Sequence, residues 1–394
     1  KEKRLSEIAD LFKGNGISKE QLTDTGEPCV LYGELYTKYK SEVISDIFNK
    51  TDIDTRKLVK SKANDVIIPC SGETAVDIAT ARCVPYDNIL LGGDLNIIRL
   101  YDCDGSFMSY QLNGKRKYDL AKVAQGVSVV HLYGDHLKGV KTYNPCLEEQ
   151  KKIAKLLSIL DERIATQNKI IEDLKKLKAA IVEKVFCSPN QEYPMCRIEG
   201  FEQALSTYKM SDFSSRIATK NKDSKCSLVL TIAAQYGLVN QESFFNKSVA
   251  SENLTGYYLL HKGEFAYNRS YSAGYDWGVV KRLDNYDEGV LSTLYICFKI
   301  NETIVDSDYL AYYFESSKWH KGLSDIAGEG ARNHGLLNVS MTDYFNTKHR
   351  FPVIEEQKAI AKMLNTIAEK ERKATLLGEC YQKQKQYLLC QMFT

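Results

Sequence analysis

PCLEEQKKIAKLLSIL, residues 145–160, returns at residues 352–367 as PVIEEQKAIAKMLNTI. Laid over each other without a gap, nine of the sixteen positions are identical, far more than unrelated segments share. The same offset reaches the far end of the stretch, where Phe186 falls on Phe393. About half the chain therefore lies in one period of a large internal repeat.

Each copy predicts a long helix with a narrow apolar seam. In the first, Ile153, Leu157, Leu160, Ile164, Ile171, Leu174, Ile181 and Val185 advance in steps of four and three, interrupted by Gln167 and Lys178. In the second, Ile360, Leu364, Ile367, Ala374, Tyr381, Leu388 and Met392 keep the frame, interrupted by Glu371, Gly378 and Lys385. A period of about 3.5 residues marks a coiled-coil seam rather than the broader face of a globular helix. Pro145 and Pro352, each followed by paired glutamates, suit helix starts, where the dipole favours negative charge. Each seam lacks a partner of its own, so the two helices are expected to pair with each other.

Between the helices lie two modules. The division expected is residues 1–144, a first helix over 145–187, a second module over 188–351 and a second helix over 352–394. The first module starts with a short amphipathic stretch (Leu5, Ile8, Ala9, Phe12). Strands are expected at Val66–Pro69 and Ile89–Leu100, with a short helix beside the basic run Lys115, Arg116, Lys117. The second repeats the plan in diverged form: NDVIIPCSG at 64–72 aligns with KGEFAYNRS at 262–270, and MSYQL at 108–112 with AYYFE near 311. It predicts strands at Leu228–Ile232, Tyr257–Leu260, Glu264–Tyr267 and Leu291–Ile300 and a helix over Asp308–Ile326. The fold class expected is α+β: two mixed α/β globular modules separated by two long antiparallel coiled-coil helices, related by an approximate two-fold axis.

Composition narrows the function. With 394 residues, 43% hydrophobic and 26% charged, the chain is an ordinary soluble protein of two or three domains. No apolar run suits a membrane span, and KEKRLSEIADLFKG does not read as a signal peptide. Eleven cysteines without a paired spacing point to reduced thiols in the cytoplasm, most of them buried as small hydrophobes. KGNGISK neither follows a strand nor ends as a nucleotide loop does. HExxH, GxSxG and EF-hand patterns do not occur, and neither does the [ND]PP[YF] tetrapeptide with which amino-methyltransferases hold adenine. No catalytic or metal residue is assigned.

The net charge of +2 does not by itself point to nucleic acid. Residues 1–144 carry 20 basic and 20 acidic side chains, and residues 190–350 carry 17 and 19, so DNA binding requires local clusters. Tyr, with 25 copies, interleaves with basic and amide side chains in predicted turns. In the first module the candidates are Lys13, Asn15, Tyr36, Lys38, Lys115, Arg116 and Lys117. In the second they are Asn268, Arg269, Ser270 and Tyr271 of NRSYSAGYDWG, and Arg332, Asn333 and His334 of GEGARNHG. Arg reads guanine bidentately, Asn reads adenine, and Ser, Lys and Tyr hold phosphates. Solvated turns with an aromatic foot in the core are the structural alternative.

The whole chain resembles the specificity subunit of a bacterial type I restriction-modification system. In that family two target-recognition domains alternate with two long helices, each opening on Pro-x-x-x-Glu-Gln-x-x-Ile. Here those positions are Pro145, Glu149, Gln150 and Ile153, and Pro352, Glu356, Gln357 and Ile360. CVLYGELYTKY and GEGARNHG resemble stretches of such recognition domains, while Glu371 and Gly378 depart from a regular seam. The resemblance implies a non-catalytic subunit that binds a split, asymmetric double-stranded DNA target, one half per module. Two methyltransferase subunits would dock through the helices, with Glu149, Gln150, Glu356 and Gln357 beside the pairing residues Ile153, Leu157, Leu160, Ile164, Ile360, Leu364 and Ile367. S-adenosylmethionine would come with those subunits, and ATP and Mg²⁺ with a motor-nuclease restriction subunit. The helices would then act as a ruler, and four residues inserted after Gln167 and after Ala374 would lengthen the spacer of the site. Asp at both Leu157 and Leu364 is expected to separate the modules while leaving each folded. A protein-binding scaffold and a transcription regulator dimerised by its coil are the alternatives.

Overall fold

The computed structural model describes the chain apart from residues 127–128, 247–252, 271–273, 327–331, 334–335, 338 and 394, and apart from the side chains of residues 223, 332, 333 and 336. The first long helix runs over Leu147–Val185 and the second over Ile354–Gln391. The chain divides into two compact units, one of residues 1–170 with 374–394, the other of residues 171–373. Each unit thus contains a module and a stretch of both helices.

The first unit is built on a four-stranded antiparallel sheet, in the order Ala9–Lys13, Leu95–Leu100, Asp65–Pro69, Arg82–Val84. Its inner strands are apolar at successive positions because both faces are covered. Val66, Ile68 and Ile98 enter one core with Met108 and Leu112, while Ile67 and Ile97 enter another with Leu35 and Leu91. The expected amphipathic start is instead a strand, Glu2–Arg4, a single 3-10 turn and the edge strand Ala9–Lys13. Leu5 and Ile8 still supply its buried residues. The two glycines Gly92 and Gly93 divide the expected strand at 89–100 into Leu90–Leu91 and Leu95–Leu100.

The second unit carries the same sheet in diverged sequence: Ser214–Arg216, Ile296–Ile300, Phe265–Asn268, Val279–Arg282, again antiparallel. Phe265–Asn268 takes the place of Asp65–Pro69, as the alignment of 64–72 with 262–270 requires. Phe265, Tyr267, Ile296 and Phe298 face an aromatic core with Tyr309, Tyr313 and Phe351, and Ala266 and Cys297 face a smaller one. The helix expected over 308–326 is two helices, Ser307–Tyr313 and His320–Ser324. Ser316 Oγ donates to the Tyr313 carbonyl and Trp319 Nε1 to that of Phe314, so side chains take acceptors that a continuing helix would use. Of the eleven cysteines, Cys29, Cys70, Cys83, Cys187, Cys226 and Cys297 are buried. Burial pushes the Cys83 and Cys297 thiols up to about 12.

Within the first unit the two helices run antiparallel. Ala154 and Leu157 share a core with Leu389 and Phe393, and Gln167 Nε2 donates 2.9 Å to the carbonyl of Ala374, its own counterpart in the repeat. The polar residue in that seam is thereby satisfied rather than merely tolerated. In the second unit Val182, Val185 and Phe186 join Ile360, Ala361 and Leu364 in the aromatic core. The seam is therefore continuous with the module cores. Phe107 and Tyr110 complete the cluster around Leu157, and Tyr309 and Tyr313 belong to the cluster that contains Leu364.

A matched clasp joins each module to its helix. Gln150 Oε1 accepts from the Asp104 amide at 2.9 Å, and its Nε2 donates to the Pro145 carbonyl at 2.9 Å. Gln357 Oε1 accepts from the Asp306 amide at 2.9 Å, and its Nε2 donates to the carbonyls of Pro352 and Ile304. Asp104 and Asp306 in turn cap the helices Gly105–Asn113 and Ser307–Tyr313. Both glutamines are buried, so truncation leaves an amide N–H and a proline carbonyl without partners. Gln357→Ala is expected to cost about 2 kcal/mol in urea denaturation. Gln357→Glu, which turns a buried carboxylate oxygen onto the carbonyls of Pro352 and Ile304, should cost more than the alanine.

Candidate nucleic-acid interface

The first-module candidates sit in three places. Lys13 ends its strand, exposed, with its ammonium 5.3 Å from the ring centre of Tyr133. Tyr133 is itself exposed and stacks on His131 at 5.8 Å, with His136 edge-on at 5.4 Å. A cation, an aromatic face and two imidazoles thus share one surface. It is held from beneath by the buried Asn96, whose Nδ2 donates 2.7 Å to the Leu132 carbonyl. Asn15 faces away from such work: its amide donates to the Lys57 carbonyl and accepts from the Val59 amide.

Lys38 and Lys117 line a cavity of about 850 Å³ together with Lys40, Glu42, Asp161 and Lys385. Lys385 bridges the carboxylates of Glu42 and Asp161, and Asp161 also accepts from Ser41 Oγ and Tyr110 Oη. Burial, with the Arg82 guanidinium nearby, holds the Lys117 ammonium below the usual lysine range. Lys38 pairs with Glu34 at 2.8 Å. Tyr36 is half-buried, Lys115 is exposed, and Arg116 is taken by Glu2 at 3.0 Å and Asp119 at 3.4 Å. The three basic residues that adjoin in sequence therefore meet different surroundings.

In the second unit Asn268 Oδ1 accepts from the Ser270 amide, which shapes the turn after Phe265–Asn268 and leaves Ser270 exposed. Arg269 is half-buried. Its guanidinium donates to the carbonyls of Val339 at 3.2 Å and Leu294 at 3.4 Å, while its own carbonyl accepts from Leu337. It pins the hairpin Arg332–Asn333 with Leu336–Leu337 to the central sheet. The backbone of Arg332 and Asn333 pairs with Leu337 and Leu336. Their side chains, and Tyr271 and His334 altogether, lie outside the described residues. A neighbouring cavity of about 400 Å³ is lined by Tyr275, Lys281 and His320, with Glu183 at its wall accepting from the Ser317 amide and hydroxyl.

On the helices, Leu157, Leu160, Ile360 and Leu364 are buried, and Ile153, Ile164 and Ile367 are half-buried. Gln150, Gln357 and Glu356 are turned inward, and of the four helix-start polar residues Glu149 alone faces solvent. Tyr133, His131 and His136 belong to none of the clusters that composition and charge single out. Their signal was HLYGDH, an aromatic between two histidines at a glycine turn.

Comparison with known proteins identifies the architecture. A family model, type I restriction modification DNA specificity domain, matches residues 1–176. The type I restriction enzyme MjaVIII specificity subunit of Methanocaldococcus jannaschii is 24% identical over 359 residues, covering 85% of this chain and 79% of its own. A putative type I restriction enzyme MjaX specificity subunit of the same organism is 25% identical over 248 residues, covering 59% and 53%. The type I restriction-modification S subunit from M. genitalium has the same fold, with a TM-score of 0.57 at 16% identity, over 100% of this chain and 96% of its own. Over its first 176 residues the chain thus matches that specificity-domain model, and over its whole length it shares the fold of a solved type I S subunit. Both copies of the repeat lie inside that fold likeness. Among the described residues no helix is long and apolar enough to cross a membrane, and no group of His, Cys, Asp and Glu is placed to hold a metal ion.

Proposed function

We propose that this chain is a type I specificity subunit that reads a split, asymmetric double-stranded DNA target, one half with each module. It docks two adenine-methylating subunits and the restriction subunits of its complex. The observation that carries this reading is the duplicated build: two four-stranded sheets of one topology, each clasped to a long helix by a buried Gln. Two diverged copies of one reader suit a target of two unlike halves. The chain contributes recognition and no chemistry, and S-adenosylmethionine, ATP and Mg²⁺ belong to its partners.

The Lys13 and Tyr133 surface is the contact we assign to the first module. Lys13 supplies a phosphate charge and Tyr133 an amphipathic edge. Selection of bound fragments from a random DNA pool is expected to return two fixed half-sites around a free spacer. Lys13→Ala should weaken binding to all sequences and lower the salt slope by about one. Arg269→Ala should lower the melting temperature of the second unit and blur only the second half-site, because its guanidinium holds the turn that presents Ser270. Binding without any sequence preference, with folding intact, would leave a protein scaffold as the better account.

A further inference from the structure

Around the cavity of about 850 Å³ in the first unit, positive charge outweighs the carboxylates present to balance it. Two acids line it, Glu42 and Asp161, and Lys385 bridges both. Hydroxyls of Ser41 and Tyr110 also donate to Asp161, so these acids are already engaged. Lys38, on the same wall, is matched by Glu34. Two further cations have no such match. Arg82 is buried, and its guanidinium donates to the carbonyls of Leu35 at 3.1 Å, Ala81 at 3.3 Å and Tyr39 at 2.9 Å. Lys117 is half-buried at the cavity wall, and its ammonium makes no hydrogen bond or ion pair among the described residues. Arg82, Lys117 and Lys385 thus face two carboxylates. Asp77 lies within the same field, but it is exposed to water and accepts from Thr74. A partly desolvated surplus of positive charge is costly until an anion joins it.

The other walls carry different chemistry. Phe48 is 57% exposed and lines the cavity, with its ring 5.3 Å from that of Tyr39. The Tyr39 hydroxyl is buried and donates to no acceptor among the described residues. Asn168, Gln382 and Gln386 bring exposed amides from both long helices. A free ammonium suits a phosphate, an aromatic face suits a base plane, and amides suit base edges. The cavity belongs to the module and the helices. In the second unit the segment ahead of the module, residues 188–205, bonds to Lys184 and Glu356. Among the described residues it makes no hydrogen bond to Glu315 or Trp319, which stand to Asp306 as Asn113 and Lys117 stand to Asp104.

We propose that this cavity binds a nucleotide, its phosphate on Lys117 and its base against Phe48. Lys40, which is exposed on the same wall and donates to the Thr37 carbonyl, adds a second charge for the phosphate. A bare anion would satisfy the charge and leave the aromatic face and the amides unused. A free nucleotide and a nucleotide of a DNA strand share this chemistry. The site does not depend on what the modules read.

The test titrates the full chain with AMP by isothermal titration calorimetry. Saturable one-to-one binding is expected, with inorganic phosphate and adenosine each weaker by about tenfold or more. Lys117→Gln and Phe48→Ala should each weaken AMP about tenfold. Lys122→Gln, an exposed lysine on the same short helix, should leave binding unchanged. Removing an unmatched cation should leave Lys117→Gln at least as stable as the parent. AMP should then raise the melting temperature of the parent and not of this variant. A single-stranded oligonucleotide that displaces AMP gives the site to a nucleotide of DNA, and AMP retained in its presence gives it to a free one; both support the site. No saturable binding, or binding indifferent to Lys117→Gln, overturns it. Inorganic phosphate that binds as tightly as AMP overturns a nucleotide as the occupant.

Discussion

Leu364→Asp is expected to unfold the second unit, and Leu157→Asp the first, rather than to separate modules that stay intact. Both leucines are fully buried. Leu157 sits among Phe107, Tyr110, Ala154, Leu389 and Phe393, and Leu364 belongs to the cluster of Tyr309, Tyr313, Phe351 and Ile360. Losing the leucine from such a site costs about 2–5 kcal/mol, and bringing a carboxylate into an aromatic cluster adds several more. The sum, at least about 5 kcal/mol, equals the stability of many whole domains. The seam residues expected to pair helix with helix thus hold each module together as well. Hydrogen exchange read by mass spectrometry should show protection lost throughout residues 171–373 in Leu364→Asp and kept in the core strands of the first unit, with the converse for Leu157→Asp. Separated modules that keep full protection would show that the seam stands apart from the cores.

Acid should destabilise the second unit through His349. Its ring is wholly buried, with Nδ1 3.0 Å from Tyr313 Oη and Nε2 2.8 Å from Thr347 Oγ1. Phe213, Phe314, Tyr313 and Phe351 surround it. Burial disfavours the imidazolium and moves the folded-state pKa from 6.5 down to about 3. Between those values the unfolded chain binds the proton and the folded chain does not, so stability rises with pH across the window. The contribution is complete above pH 6.5 and is lost as pH falls through 3. The loss is about 2–3 kcal/mol between pH 7 and 4.5, and about 4–5 kcal/mol by pH 3. His349→Gln keeps a hydrogen-bonding side chain that does not titrate there. Urea denaturation at pH 7 and pH 4.5 should therefore show a shallower acid dependence for the variant by about 2–3 kcal/mol. Parallel pH curves for parent and variant would mean that water reaches the ring when it is protonated.

The duplication, the two long helices and the alternation of module and helix are legible in the sequence. Those features rest on local chemistry: a 3.5-residue apolar period, a proline with acids at each helix start, and an ungapped match between copies. The central strands are legible too, since Val66–Ile68 and Phe265–Tyr267 are apolar at successive positions and align with each other. Which residues of those patterns are free to act depends on contacts made across the fold. Periodicity shows that Gln150 and Gln357 recur, but not that they turn inward onto the amides of Asp104 and Asp306. Arg269 and Lys13 are both basic residues at the end of a strand. One is bound to two carbonyls and the other lies open beside Tyr133, because residues distant in the chain make the difference. Glu356 opens a helix in a motif that reads as solvent-facing, and it is buried because Arg197, 159 residues away in the chain, grips it with two hydrogen bonds. Helix and strand periods are short-range properties of the chain. Burial depends on what the rest of the fold lays over each position, and no local pattern records that.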